Sequence, residues 1–211
     1  MPKAAFFQLA PEKQTRILES AQALFGATPY AQASTNTLVK ACGISKGSLF
    51  NYFDDKAELY LYTLQQAHHT LAEAFRSRPD FSEDLLTRFT QWTQLSMRVW
   101  QSHPQCYGLF MQFRQAPEAL QQRYLQDYTP PIGDFFRAAF ADIDTRQLNH
   151  PLEDCLQVLE WALTGIKQQA EARWRAEMAP EQLEKEVLAH TQQLCDILRH
   201  GFFAKPSPCT T

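Results

Sequence analysis

Apolar residues recur at intervals of three and four through nearly the whole chain, and that period admits one kind of architecture, packed α-helices. Ile17, Leu18, Ala21, Leu24 and Phe25 share one face of a helix opened by Pro11, a residue suited to a first helical turn. Ahead of it, residues 1–10 read as an arm whose Phe6, Phe7 and Leu9 can pack back on the body. Leu59, Leu64, Ala67, Leu71 and Phe75 mark a long helix beginning at Asp54 or Asp55. Leu85, Phe89, Trp92, Leu95 and Val99 mark another over 82–102. Shorter helices are expected over 105–114, 117–128 and 132–142, between the breaks His103-Pro104 and Pro130-Pro131. Two long helices follow, over 152–178 and 180–203, and 204–211 reads as a flexible tail. Only 7 glycines occur and no alternating run marks a strand, so the expected fold class is all-α.

Composition narrows the function classes. With 45% hydrophobic and 20% charged residues the chain is globular rather than disordered. A net charge of −3 is not that of a wholly basic nucleic-acid binder, although a small DNA-binding module joined to a larger acidic domain gives the same total. No signal-peptide core follows Met1, and no apolar run approaches the roughly 18 residues of a membrane span. The cysteines Cys42, Cys106, Cys155, Cys195 and Cys209 are scattered without a CxxC pair, which fits a reducing cytoplasm. His103 and Cys106 stand three apart and His68-His69 are adjacent, but nothing supplies further ligands, so neither a metal nor a cofactor is expected. No glycine-rich phosphate loop is present and no carboxylate pair or Ser/His/Asp arrangement can be argued, so an enzyme is not expected.

Residues 34–56 carry the most information. Ser34 can cap a short helix with Thr37 three positions on, Leu38, Val39 and Ala41 form its apolar side, and Gly43 ends it. Ser45 caps a second short helix running to Tyr52 or Phe53. Helix, glycine turn and helix are the parts of a helix-turn-helix, locked by Leu38, Ile44, Leu49 and Phe53. The second helix then presents Lys46, Ser48 and Asn51, groups able to hydrogen-bond base edges in a major groove. A helical hairpin with a solvated polar face fits the same pattern, since helix-turn-helix geometry is a weak motif alone.

Beyond the pattern, residues 14–64 resemble the DNA-binding domain of the tetracycline-repressor (TetR/AcrR) family. The likeness runs through Arg16-Ile-Leu-Glu-Ser-Ala-Gln-Ala-Leu-Phe25, the aromatic Tyr30 and the Ala-Ser-Thr-Asn entry to the second helix. It continues through Ala41-Cys-Gly-Ile-Ser-Lys-Gly-Ser-Leu-Phe-Asn-Tyr-Phe53 and Lys56-Ala-Glu-Leu59. It implies a dimeric regulator, most often a repressor, that binds a pseudo-palindromic operator in double-stranded DNA and is released by a small molecule. By position it implies that Ser34 and Thr35 approach a phosphate and that Asn36 can read a base. It makes Ser45, Lys46, Gly47 and Ser48 the leading end of the recognition helix, followed by Asn51. Tyr52 would offer its hydroxyl to a phosphate and Lys56 would add a charge. Two departures stand out. Phe50 replaces the usual Tyr and Ala33 a common Thr, which predicts fewer backbone contacts and a shallower salt dependence. Residues 34–56 carry an excess of only one positive charge, so a dimer's doubled contacts are needed for useful affinity.

The expected organisation is a DNA-binding domain over 1–56 and a helical effector-binding and dimerisation domain over 57–203. The helix from Lys56 to Phe75 is expected to join them rigidly. The second region is rich in aromatics, which are either core or the wall of an effector cavity for an apolar or aromatic small molecule. Trp92, Met97, Trp100, Tyr107, Phe110, Met111 and Trp161 are the candidate wall, with Arg114 (and also His103 and Gln168) for polar contacts. The stripes Leu156, Leu159, Leu163, Ile166 and Val187, Thr191, Leu194, Leu198 are the candidate interface between two copies, unless they bury into their own subunit. Two rivals remain, a helical interaction protein that kept the fold and an enzyme built on the helical core.

Overall fold

The computed structural model describes residues 1–76, 80–128, 133–174 and 180–200. Among them every regular element is helical: α1 (Ala4–Phe7), α2 (Pro11–Ala27), α3 (Thr35–Cys42), α4 (Lys46–Tyr52), α5 (Lys56–Arg76), α6 (Leu85–Ser102), α7 (Pro104–Phe113), α8 (Glu118–Asp127), α9 (Gly133–Ala139), a 3-10 turn (Thr145–Gln147), α10 (Leu152–Trp174) and α11 (Pro180–His200). The expected all-α class is the one adopted. The flexible tail and the distal ends expected for the last two helices lie outside the described residues.

Local signals account for the helix starts. Pro11 and Pro104 occupy the first turns of α2 and α7, where a missing N–H costs nothing. Ser45 caps α4, its Oγ accepting from the Ser48 N–H at 3.0 Å. The start of α5 is doubly capped: Asp55 accepts from the Glu58 N–H at 2.7 Å, and the Glu58 carboxylate accepts from the Asp54 N–H at 2.5 Å. The 3-10 turn escapes an apolar-period reading because its signal is polar, Asp144 accepting from the Arg146 N–H at 3.0 Å.

The chain divides into two compact units. Unit 1 comprises Met1–Ser77 and Val99–Asp134; unit 2 comprises Arg78–Arg98 and Phe135–Thr211. A boundary after residue 56 would cut unit 1, because α5 and α7 pack directly on α2. Ile17, Ala21 and Phe25 of α2 are fully buried with Leu59, Tyr60 and Leu64 of α5 and Leu109 of α7. Where α2 meets α7 two glycines face each other. A Cβ on Gly108 would stand 3.0 Å from the Gly26 carbonyl oxygen, and one on Gly26 would stand 3.1 Å from that of Gln105. The backbones therefore touch with no side chain between them. The arm also belongs to this unit: Phe6 is fully buried against Phe53 and Tyr62, at ring distances of 5.0 and 5.8 Å, while Phe7 is half exposed.

Unit 2 is held by α6, α9, α10 and α11. Phe89 and Trp92 meet Phe136 edge-on at 6.4 and 6.0 Å. Met97 packs with Ala170, Leu183 and Val187. Arg88 is buried among them, its Nε donating to the Ser82 carbonyl at 2.6 Å and its guanidinium also bonding the Ala139 carbonyl and the Asp142 carboxylate. The stripes expected between copies are closed inside this unit: Leu156, Leu159, Leu163, Val187 and Thr191 are buried, and Ile166 and Leu194 are half-buried. Of that set only Leu198 is exposed, at 44%. The apolar surface of α10 lies on a neighbouring face, with Trp161 67% and Val158 44% exposed.

Candidate nucleic-acid interface

The pair α3–α4 is built on a rigid floor. Leu38, Val39 and Cys42 on the inner side of α3, and Leu49, Tyr52 and Phe53 in and after α4, are buried. Burying each large apolar side chain contributes about 1.5–3 kcal/mol, so the pair is fixed by its inner face and its outer face is free for function. Gly43 makes the turn at φ +64°, in the left-handed region, and its N–H and that of Ile44 close the last turn of α3. Any other residue there would be strained although nothing crowds the site. Cys42 is a core residue whose thiol burial pushes up, away from the reactive thiolate.

The outer face carries most of the expected residues. Ser34 caps α3 by position, but its hydroxyl makes no capping bond. Its Oγ and the first N–H groups of α3 therefore face outward together, with Thr35 half-exposed and Asn36 exposed beside them. On α4, Ser45, Lys46, Gly47 and Asn51 are exposed, and Ser48 and Phe50 are half-buried. Ser48 turns its hydroxyl to Ser45, Oγ to Oγ 2.9 Å. Among the described residues Lys46 and Asn51 have no hydrogen-bond or ion-pair partner. Gly47 is informative by contrast with Gly108. A Cβ there would meet only Ser45 Oγ at 3.8 Å, so the chain's own packing does not require glycine. A helical glycine costs about 0.5–1 kcal/mol relative to alanine, a cost that the chain's own packing here does not explain.

Two expected contacts are placed differently. Tyr52 is only 9% exposed, its ring 6.4 Å from that of Phe6, so packing dominates its role. Lys56 directs its ammonium inward, donating to the carbonyls of Tyr30 at 2.6 Å and Ala33 at 3.0 Å, and sits 4.3 Å over the Tyr30 ring. It braces the loop between α2 and α3 that sets the entry angle of α3. Lys3 went unread in the sequence. Its Nζ donates to the Phe50 carbonyl at 2.9 Å and pairs with Asp54, and its backbone N–H donates to the Tyr52 carbonyl, so the arm clamps the end of α4. An isolated lysine near a terminus offers no pattern to find it by.

The expected effector residues divide between the units. In unit 1, Trp100 contacts Tyr107 and Phe110 at 4.9 and 6.2 Å, Met111 is half-buried, and Arg114 is exposed at the end of α7. In the same unit His68 Nδ1 bonds the Tyr124 hydroxyl at 3.0 Å, and the His68 ring lies 6.0 Å from that of Phe110. The buried Tyr60 hydroxyl and Gln112 carbonyl oxygen have no hydrogen-bond partner among the described residues. In unit 2, Trp92 and Met97 are core and Trp161 points to solvent.

Comparison with known proteins agrees with this geometry. Residues 17–63 match the family model for bacterial regulatory proteins of the tetR family. A curated relative, the HTH-type transcriptional regulator SAB2452 of Staphylococcus aureus (strain bovine RF122 / ET3-1), is 33% identical over 76 residues. That match covers 36% of this chain and 41% of the relative's length. The whole fold is shared with a TetR family transcriptional regulator from Chloroflexus aurantiacus J-10-FL: 21% identity, TM-score 0.65, 95% of this chain and 98% of that one covered. A TetR-family regulator from Syntrophomonas wolfei is similar at 17% identity and TM-score 0.65, covering 92% and 98%. Superantigen PfiT also has this fold, at 16% identity and TM-score 0.60 over 86% of this chain and 97% of that one. The fold alone therefore hosts different functions, and the match over 17–63 is the discriminating one.

Proposed function

From the match of residues 17–63 to the family model for bacterial regulatory proteins of the tetR family, we propose that this chain is a transcriptional repressor that binds a pseudo-palindromic operator as a homodimer and leaves it when a small molecule binds. The observation that carries the DNA reading is the exposed end of α4. Lys46 and Asn51 stand outward without internal partners, around a glycine that the fold does not need. With Ser34 and Thr35 at the start of α3, they give one reader the two contacts it requires, phosphate for register and base edges for sequence.

Binding titrations on an operator found by site selection, and on random duplex, test this. Lys46→Ala should weaken operator binding by about 1–3 kcal/mol and relax preference at one base pair. Gly47→Ala should leave folding intact, or slightly improve it, while weakening both duplexes. Unchanged operator affinity in both variants rejects α4 as the reader.

Support for the effector comes from unit 1. Two buried polar atoms without a hydrogen-bond partner among the described residues, on Tyr60 and Gln112, and the rings around Trp100 and Phe110 would suit a ligand with an apolar body and one polar group. The linkage is reciprocal: an effector that weakens operator binding, commonly about 5- to 150-fold, is itself weakened by operator to the same degree. Calorimetric titration of the effector with and without operator reads this directly, and equal affinities exclude it as an inducer.

A further inference from the structure

At the centre of the outer face of α4 stands an apolar side chain. At about 100° per residue, Lys46, Phe50, Gly47 and Asn51 follow one another across about 140° of one side of the helix. Leu49 and Tyr52, which are buried, lie on the opposite side. Phe50 therefore sits between Lys46 and Asn51, among the exposed residues, and is itself half-buried. The aromatic residues that follow it behave differently. Tyr52 and Phe53 join a cluster of rings with Phe6 and Tyr62. Among the described residues the Phe50 ring meets no other ring.

The backbone that bears this ring is held in place. Lys3 Nζ donates to the Phe50 carbonyl at 2.9 Å, and the Lys3 N–H donates to the Tyr52 carbonyl at 2.9 Å. Gly47, three positions before Phe50 and so its neighbour on the helix surface, puts no side chain beside the ring. Chemistry then narrows what the ring can meet. A phenyl ring has no hydrogen-bond donor to offer a phosphate oxygen, so it cannot serve as a backbone contact. Lys46 and Asn51 on its two sides suit the polar edges of bases. The one apolar group that the base pairs display in a major groove is the 5-methyl group of thymine.

We propose that Phe50 is a specificity-determining residue that packs on the 5-methyl group of one thymine in each half of the operator. The inference rests on the reading of α4 as the helix that enters the groove, and adds to it a base preference.

Fluorescence anisotropy titration of the protein on the selected operator tests this, with each thymine replaced in turn by deoxyuridine, a change that removes only the methyl group. At one position the replacement should weaken wild-type binding about fourfold in one half-site and more than about tenfold in both, the effect of leaving one methyl group unburied on each side. Phe50→Ala should weaken binding to the thymine operator at least as much, and should bind the thymine and deoxyuridine duplexes equally. Its salt dependence should match that of wild type, because no phosphate contact is lost. Phe50→Leu keeps an apolar body, serves if alanine disturbs the fold, and should retain part of the preference for thymine. An operator that tolerates deoxyuridine at every position overturns the proposal. So does a Phe50→Ala variant that keeps the full wild-type preference for the methyl group. Lys46→Ala on the same duplexes separates this failure from that of the underlying reading. If Lys46→Ala weakens operator binding while the methyl group has no effect, α4 reads DNA and Phe50 does not; if neither change matters, α4 is not the reader.

Discussion

Trp161→Asp is expected to convert the protein to a 24.3 kDa monomer and to lower operator affinity about 100-fold or more. The reasoning begins on α10. Val158, Trp161 and Gly165 fall at i, i+3 and i+7, one face of the helix, and nothing stands within 4 Å of a Cβ on Gly165. A tryptophan 67% exposed beside two apolar neighbours is poorly placed in water and well placed in a contact, where aromatic anchors contribute most. An aspartate there would be buried by association without a partner. Loss of the dimer removes the second reader, which acts at high effective concentration once the first has bound, and this makes the effect on DNA larger than any single base contact. Light scattering reports the mass, and titration with operator reports the affinity. A variant that stays dimeric would place the interface elsewhere. Leu159→Asp is a useful contrast, since Leu159 is buried in its own chain and its loss should unfold unit 2.

Phe6→Ala should cost about 3–5 kcal/mol of stability in unit 1, the range for removing a fully buried phenylalanine. Phe6 meets Tyr52, Phe53 and Tyr62, so the cavity left behind opens directly beneath the end of α4. Chemical denaturation followed by circular dichroism gives the loss. Lys3→Met should cost far less, because the Lys3–Asp54 pair is exposed and such pairs contribute little. A loss below about 1 kcal/mol for Phe6→Ala would mean that the arm is detached in solution.

The contrast between α4 and α10 shows which parts of this molecule its sequence discloses. Around α4 each local rule has one outcome: a capping serine, a glycine that ends α3, and apolar residues spaced to fill one inner face. The helix-turn-helix and the fold class are therefore legible together. On α10 the stripe from Leu156 to Ile166 was equally visible, but a stripe says that a face is covered and not by what. Here α6 and α11 of the same chain cover its neighbourhood, Met97 packing with Ala170, Leu183 and Val187. Lys56 shows the same limit: a lysine beside such a helix pair is equally suited to backbone carbonyls, and only the fold shows that those of Tyr30 and Ala33 are in reach.

The crossing of α2 and α7 has a mechanical consequence. Side chains between two helices usually form a soft layer: rotamers change, methyl groups slide, and a small displacement of one helix is absorbed before it reaches the other. At Gly26 and Gly108 that layer is missing. α2 is also the support on which α3 rests. A shift of α7 by a few tenths of an ångström therefore has no slack to take up, and α2 must follow it like a gear cut without backlash. Adding a single methyl group at either glycine would force the helices apart and put play into a joint that now has none.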